Sequence, residues 1–441
     1  MTNLYISKPI NKALTKTILL ACLIFIFSSI YNEANAQNKK IAIFGSSVAK
    51  GVGDTTTTGG YSGFIKQLLE KRGWTVVNVS RGGDNTDKIM PRYESQLLPE
   101  KAKYVILGLS LGNEGIYSPS ETTRNRIFER YRNGMLRLIA LCRQDGMTPF
   151  VTNCYARNDF ELPHYEATKK MNLMINMWDI PSMNALGTID NGKGNWVNGF
   201  WHDAFHPNVQ GHKEIYYSFV PSIFDAMEAG KKTPYKVRST RYLQLKNEIS
   251  NQPLTYIPDD TIHSFAISFL VKSPTKGTLA TIKEGDHACG IILNNDKITY
   301  RAANGSTLSG DTTQTNKGWI YVVISHQWAS GITSLFVNGQ LAGTTKENLN
   351  FNKFILGGNG GEKNLSGSVK EAGYKDLLIY RSALNIDEAK ALYYDQLLQS
   401  SLEIYAPLDD AVYKSGSKAN NYAQSLSRLL INSSTLTSKE E

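Results

Sequence analysis

Cysteine is scarce in this chain, with 4 in 441 residues. Cys22 sits in an N-terminal apolar run, which leaves Cys142, Cys154 and Cys289, an odd number without metal-ligand spacing. A small fold stapled by disulfides and a thiolate metal site are therefore both excluded. Cys142 and Cys154 could pair in an oxidising compartment or stay as buried thiols, and the sequence leaves both open. Long apolar runs are missing after residue 30, so no later stretch can cross a bilayer as a helix. Nucleic-acid recognition motifs are absent as well, although the formal charge is +9. That excess is diffuse apart from Lys231, Lys232, Lys236, Arg238 and Arg241. The cluster reads as a solvated linker, with attraction to an acidic polysaccharide as the weaker alternative.

The one apolar run, Ile18 to Ile30, follows Lys8, Lys12 and Lys16 and precedes Ala34-Asn35-Ala36. A basic segment, an apolar segment and a small-x-small site in that order predict a signal peptide over residues 1–36 and a mature chain from Gln37. Leu19-Leu20-Ala21-Cys22 hints at a lipoprotein processing site, but the apolar run continues past Cys22. The expected address is secreted or periplasmic. The leader carries three lysines and one glutamate, so the mature charge is about +7.

The remaining length suits two domains of ordinary globular composition. In the first half, apolar runs at 39–44, 74–79, 104–109 and 149–153 read as buried strands. Between them lie helical patterns, at Tyr61 to Arg72 and in a long stretch with Ile127, Phe128, Tyr131, Met135, Leu138, Ile139 and Cys142 on one face. Alternating strands and helices predict a parallel sheet covered on both faces, with ligands bound outside the carboxyl ends of the strands. Polar and glycine clusters stand at those ends: Gly45-Ser46-Ser47, Arg81-Gly82-Gly83-Asp84 and Leu111-Gly112-Asn113-Glu114. Trp201-His202-Asp203-Ala204-Phe205-His206-Pro207-Asn208 adds a carboxylate three residues before an imidazole. At that spacing the carboxylate can fix one ring nitrogen and leave the other free as a base. A serine, a glycine amide, an asparagine amide and an Asp-His pair are the parts needed for acyl transfer.

These four blocks resemble those of the SGNH (GDSL-type) hydrolase family over residues 38–228. The resemblance implies a flavodoxin-like three-layer α/β/α domain and an ester-hydrolysing enzyme that needs no cofactor or metal. It casts Ser47 as nucleophile, Asp203 and His206 as its acid-base pair, and Gly83 and Asn113 as oxyanion donors. Ser46, Leu111 and Glu114 depart from the usual Asp, Gly and Asp, and none of these removes a reacting group. His202 and His212 flank the site as supporting or surface residues, and Trp201, Tyr155, Arg157 and Tyr61 are candidates to line it or to pack beneath it.

A Gly-, Lys- and Pro-bearing segment at 229–237 reads as a linker, and beyond it the apolar period changes to two. Short strands at 241–245, 264–271, 290–293, 319–324 and 334–337, with Asn338-Gly339 as a hairpin turn, predict an antiparallel sandwich. Leu335-Phe336-Val337-Asn338-Gly339-Gln340, Phe354-Ile355-Leu356-Gly357-Gly358, Asp376 to Arg381 and a helix from Ile386 resemble a laminin-G-like, concanavalin-type jelly roll over 238–410. That family binds sugars, proteins or calcium, or packs on its neighbour, and Trp328 is a candidate sugar-stacking or interface residue. Residues 411–441 read as a frayed tail. Export and a lectin-like second domain together suggest an O-acetylated polysaccharide or oligosaccharide as substrate, with no nucleic-acid partner. A lipid or short-chain acyl esterase, or a sugar-binding protein with an idle hydrolase domain, are the alternatives.

Overall fold

The computed structural model describes residues 39–246, 251–273, 275–313, 318–433 and 436–441. The expected leader and its cleavage site lie outside them. Among the described residues no helix is long and apolar enough to cross a membrane.

The N-terminal half is built on β1 (Lys40–Gly45), whose Ile41, Ala42, Ile43 and Phe44 are all buried. An apolar run of this kind suits a strand covered on both faces. One-turn α1 (Ser47–Lys50) follows directly, then α2 (Gly60–Lys71), β2 (Thr75–Asn78), α3 (Thr86–Arg92) and β3 (Tyr104–Gly108). After these come α4 (Glu121–Gln144), β4 (Thr148–Thr152), α5 (Leu162–Asn176), β5 (Ser182–Met183), α6 (Leu186–Ile189), α7 (Val209–Tyr217) and α8 (Ile223–Glu228). The strands are parallel in the order β2-β1-β3-β4-β5. Ile41, Ile43, Ile106 and Phe150 face α2 and α8, whereas Ala42, Phe44, Leu107 and Val151 face α4. The result is the expected three-layer domain. The buried face of α4 is the one read from the sequence, Ile127 to Cys142. Cys142 and Cys154 are free buried thiols, so no disulfide joins them. Burial pushes the two up to about 12 and about 11.

The second half is an antiparallel sandwich. Its strands begin with β6 (Arg241–Lys246), β7 (Leu254–Tyr256), β8 (Phe265–Lys272), β9 (Gly277–Glu284), β10 (His287–Asn294) and β11 (Lys297–Arg301). They continue with β12 (Thr307–Asp311), β13 (Ile320–Gln327), β14 (Ile332–Val337), β15 (Gln340–Lys346), β16 (Lys353–Leu356) and β17 (Glu371–Tyr380). After α9 (Ile386–Tyr393) the chain closes with β18 (Leu402–Ala406), β19 (Lys418–Ala419), β20 (Leu429–Ile431) and β21 (Leu436–Glu440). One sheet runs β12-β11-β10-β9-β16-β7-β20-β19 and the other β15-β14-β13-β8-β17-β6-β21, with β18 paired to β17. Asn338 (φ 49°) and Gly339 (φ 75°) are both left-handed between Val337 and Gln340, as a two-residue hairpin loop requires.

Two sequence expectations change at this level. The described residues after Asp410 are not a frayed tail. Leu429 and Ile431 of β20 are buried against β7, and β21 pairs with β6 along Leu436–Glu440, so the last residues complete both sheets. The basic segment around 231–241 is a linker without regular structure ahead of β6, with Lys232 and Arg238 exposed, but its other basic residues are tied down. The Lys231 ammonium donates to the carbonyls of Asn421 and Ala423, Lys236 lies 3.0 Å from both Asp376 and Asp395, and Arg241 bonds Ser438.

A polar joint binds the halves together. The fully buried Arg381 grips Asp260 with two bonds of 2.9 and 3.1 Å and donates to the Tyr217 carbonyl at the end of α7. His263 stacks between Tyr217 (3.9 Å) and Trp328 (4.4 Å) and bonds Glu214 of α7 at 3.0 Å. Glu388 of α9 accepts from the amides of Asn172, Asn176 and Asn184. Trp328, whose indole N–H is held by Asn350, serves this interface and is not a free sugar platform.

Candidate active site

Three strand ends and one loop meet over the parallel sheet. β1 ends at Gly45, where a side chain would collide with the Gly108 carbonyl, 2.3 Å from the Cβ position, so glycine is what lets the ends of β1 and β3 approach closely. The chain then turns through Ser46, which is buried, and Ser47 opens α1. The Ser47 N–H therefore has no intrahelical acceptor. The turn after β2 brings Gly83, with φ 79°, a conformation only glycine adopts freely. The turn after β3, Leu111–Glu114, brings Asn113. Ser47, Gly82, Gly83, Gly112, Asn113, Tyr117, Arg157, Phe205 and His206 line one open cleft of about 510 Å³.

Asp203 and His206 meet as the spacing predicts. His206 Nδ1 lies 2.9 and 3.0 Å from the two Asp203 oxygens. A carboxylate can only accept there, so Nδ1 carries a proton, and in the neutral imidazole the lone pair is then on Nε2. Partial burial raises the Asp203 carboxyl. The bonds from His206 and from the Phe205 N–H outweigh that and hold it below its ordinary value. The turn itself is closed by the His202 N–H on the His206 carbonyl at 2.9 Å and anchored by Asn208, which caps α7 through the Gly211 N–H. Ser47 and His206 share the cleft without a hydrogen bond between their side chains, as is common before a substrate draws such groups together.

The departures from the family pattern have visible roles. Leu111 is fully buried in the core beneath the cleft and fastens the Asn113 turn. The Glu114 carboxylate, raised by burial, accepts from the Thr86 N–H at 2.5 Å and from Arg130 at 3.2 Å. It thereby ties the Asn113 turn to the segment after Gly83. The Asn113 amide donates to the Asp84 carbonyl at 3.0 Å, and the Asp84 carboxylate is held by Arg92.

Other candidates fall outside the cleft. Tyr61 and Tyr155 are core residues, the former with its hydroxyl near Thr152. His202 and Trp201 are exposed beside the dyad turn. His212 is fully buried and structural. Its Nδ1 accepts from the Tyr61 N–H and its Nε2 donates to the Val52 carbonyl, so it pins α7 to the loop after Ser47. Val52, Tyr117 and Phe205 line the cleft and were not anticipated. No spacing rule could have found Tyr117 or Val52, because long turns rather than regular elements carry them. Phe205 lies between Asp203 and His206 and could have been found on that ground.

Residues 43–214 match the model of the GDSL-like lipase/acylhydrolase family. No curated protein matches the chain. Among solved structures, a Bacteroides ovatus protein described as carbohydrate-binding is 16% identical over 46% of this chain and 60% of that one, with a TM-score of 0.36. The chain thus spans less than two thirds of that protein's length. A Desulfitobacterium hafniense protein described as lipolytic and of the G-D-S-L family is 15% identical over 41% of this chain and 96% of that one, TM-score 0.34. A Geobacillus stearothermophilus acetylxylan esterase, in a catalytic mutant, is 15% identical over 40% and 90% of the two chains, TM-score 0.32.

Proposed function

We propose that this chain, whose residues 43–214 match the GDSL-like lipase/acylhydrolase model, is a serine esterase that removes acyl groups, in the first place O-acetyl groups of a polysaccharide. The observation that carries the reading is the convergence of Ser47, Gly83, Asn113 and a bonded Asp203–His206 pair on one cleft. In this reading the Ser47 hydroxyl attacks the ester carbonyl as His206 Nε2 takes its proton. Asp203 steadies the imidazolium that forms. The carbonyl oxygen becomes an oxyanion received by the Ser47 and Gly83 N–H groups and by the second amide proton of Asn113. Collapse expels the alcohol, which takes the proton from His206. A water molecule, deprotonated by the same nitrogen, then frees the acyl group from Ser47.

The openness of the cleft and the exposed rings of Phe205 and Trp201 on the dyad turn suit a large polar chain presenting a small ester, since sugar faces stack on such rings. The test is acetate release from acetylated plant and algal polysaccharides, alongside a small chromogenic acetate ester, by the full mature chain and by Ser47→Ala. Release is expected from at least one polysaccharide, falling by about 10³-fold or more in Ser47→Ala. Turnover of long-chain esters in preference would redirect the reading to a lipid esterase. Glycan binding without turnover of any ester would overturn the enzyme reading.

A further inference from the structure

Resting on that reading, we infer that Arg157 is a positioning residue that keeps the Asn113 amide turned with its N–H toward the reacting carbonyl. The residue is almost wholly buried beside the cleft. Its Nε and Nη2 are bound by the two oxygens of Asp159, each at 3.0 Å, which fixes the plane of the guanidinium. The free Nη1 then points at Asn113 Oδ1, 3.5 Å away. The ring of Phe205 lies 4.5 Å from the guanidinium carbon and that of Tyr117 5.2 Å away. The next residue, Asn158, donates its N–H to the Ala204 carbonyl, which ties this segment to the dyad turn. The approach to the Asn113 turn is so close that a Cβ at Gly112 would sit 2.6 Å from both Cδ and Nη1 of Arg157.

A carboxamide that is to stabilise an oxyanion must offer N–H and not C=O, yet its two ends have nearly the same shape. A half-turn of the Asn113 amide would aim its carbonyl oxygen at the transition-state charge. Two contacts oppose that turn. The Asp84 carbonyl accepts from Nδ2 at 3.0 Å, and the Arg157 cation faces Oδ1. With both in place, one Nδ2 proton is held and the other is free for the cleft. Without Arg157 only the Asp84 bond remains. Lysine cannot replace it, because a compact ammonium cannot take the Asp159 fork and reach Asn113 together.

The test is a double-mutant cycle of Arg157→Ala and Asn113→Ala, with turnover of a small chromogenic acetate ester counted per Ser47 titrated by a phosphonate. Arg157→Ala is expected to lower kcat about 10- to 100-fold, less than or equal to the loss of the oxyanion donor itself. KM should move by less than about threefold, because the group acts on the transition state and not on binding. The double variant should be no slower than Asn113→Ala alone, and methylguanidinium should restore part of the rate of Arg157→Ala but none of the double variant's. Where Arg157→Ala does not fold, Arg157→Lys enters the same cycle. Losses that multiply, or a kcat for the Arg157 variant within about threefold of wild type, overturn the inference while leaving the esterase standing. A wild-type protein that turns over no ester overturns both.

Discussion

Asp203 and His206 were legible because chemistry and spacing coincide. They stand three positions apart in an irregular turn ahead of the helix that starts at Val209, and the carboxylate meets Nδ1 as the pattern requires. His212 was not legible in the same way. In the sequence it is one more histidine near the site, and only the fold reveals a fully buried ring bridging the Tyr61 N–H and the Val52 carbonyl. Burial pushes it down from 6.5 to about 4, so it is neutral in the folded protein. The unfolded chain therefore binds more protons between these values. The residue's contribution is whole above pH 6.5 and is lost as the pH falls toward 4. A depression of this size is worth on the order of 3 kcal/mol. His212→Gln, which cannot titrate, is accordingly expected to cost more stability at pH 7 than at pH 4.5 when both proteins are unfolded in urea. An equal cost at the two pH values would show that the imidazole does not titrate in this way.

At the scale of elements, periodicity found β1, β8 and the buried face of α4, but it passed over strands as deeply buried, β9 and β18 among them. The face of α4 came out residue for residue, and Ile41 to Phe44 read as a doubly covered strand. β20 and β21, whose partners lie far along the chain, were missed. β20 is three residues long, and β21 carries Thr437, Ser438 and Lys439 on an outer edge, so the segment looked like a polar tail. What makes these residues strands is pairing with β7 and β6, from Leu429 to Tyr256 and from Leu436 to Leu245, which no local pattern encodes. Burial of Leu429, Ile431 and Leu436 contributes roughly 1.5–3 kcal/mol per side chain, together comparable with the whole stability of an ordinary domain. A chain ended after Asp410 is therefore expected to give a sandwich that fails to fold, seen as loss of the cooperative thermal transition by circular dichroism. A truncated chain melting within about 2 °C of the full protein would show that these strands add little.

For the molecule as a whole, the division into an α/β half and a β half was readable from the change of apolar period, but the way the halves join was not. Asn172, Asn176 and Glu388 look like ordinary surface polar residues on their helices. They become a buried cluster only when α9 docks on α5, across a separation of 216 residues between Asn172 and Glu388. The same joint reaches the active site, since Glu214 and Tyr217 of α7, the helix begun by Asn208 just after the dyad, are held by His263 and Arg381 of the sandwich. The second half is thus part of the framework behind His206 and not a module on a loose tether. On the esterase reading, both halves together serve the activation of Ser47. The measurement that bears on it is covalent labelling of the full chain with a fluorophosphonate, followed by mass-spectrometric mapping of the adduct. A single adduct on Ser47 is expected, formed at least about 100-fold more slowly in His206→Asn and absent in Ser47→Ala. A protein that takes up no label, or carries it on another residue, would contradict the serine esterase reading.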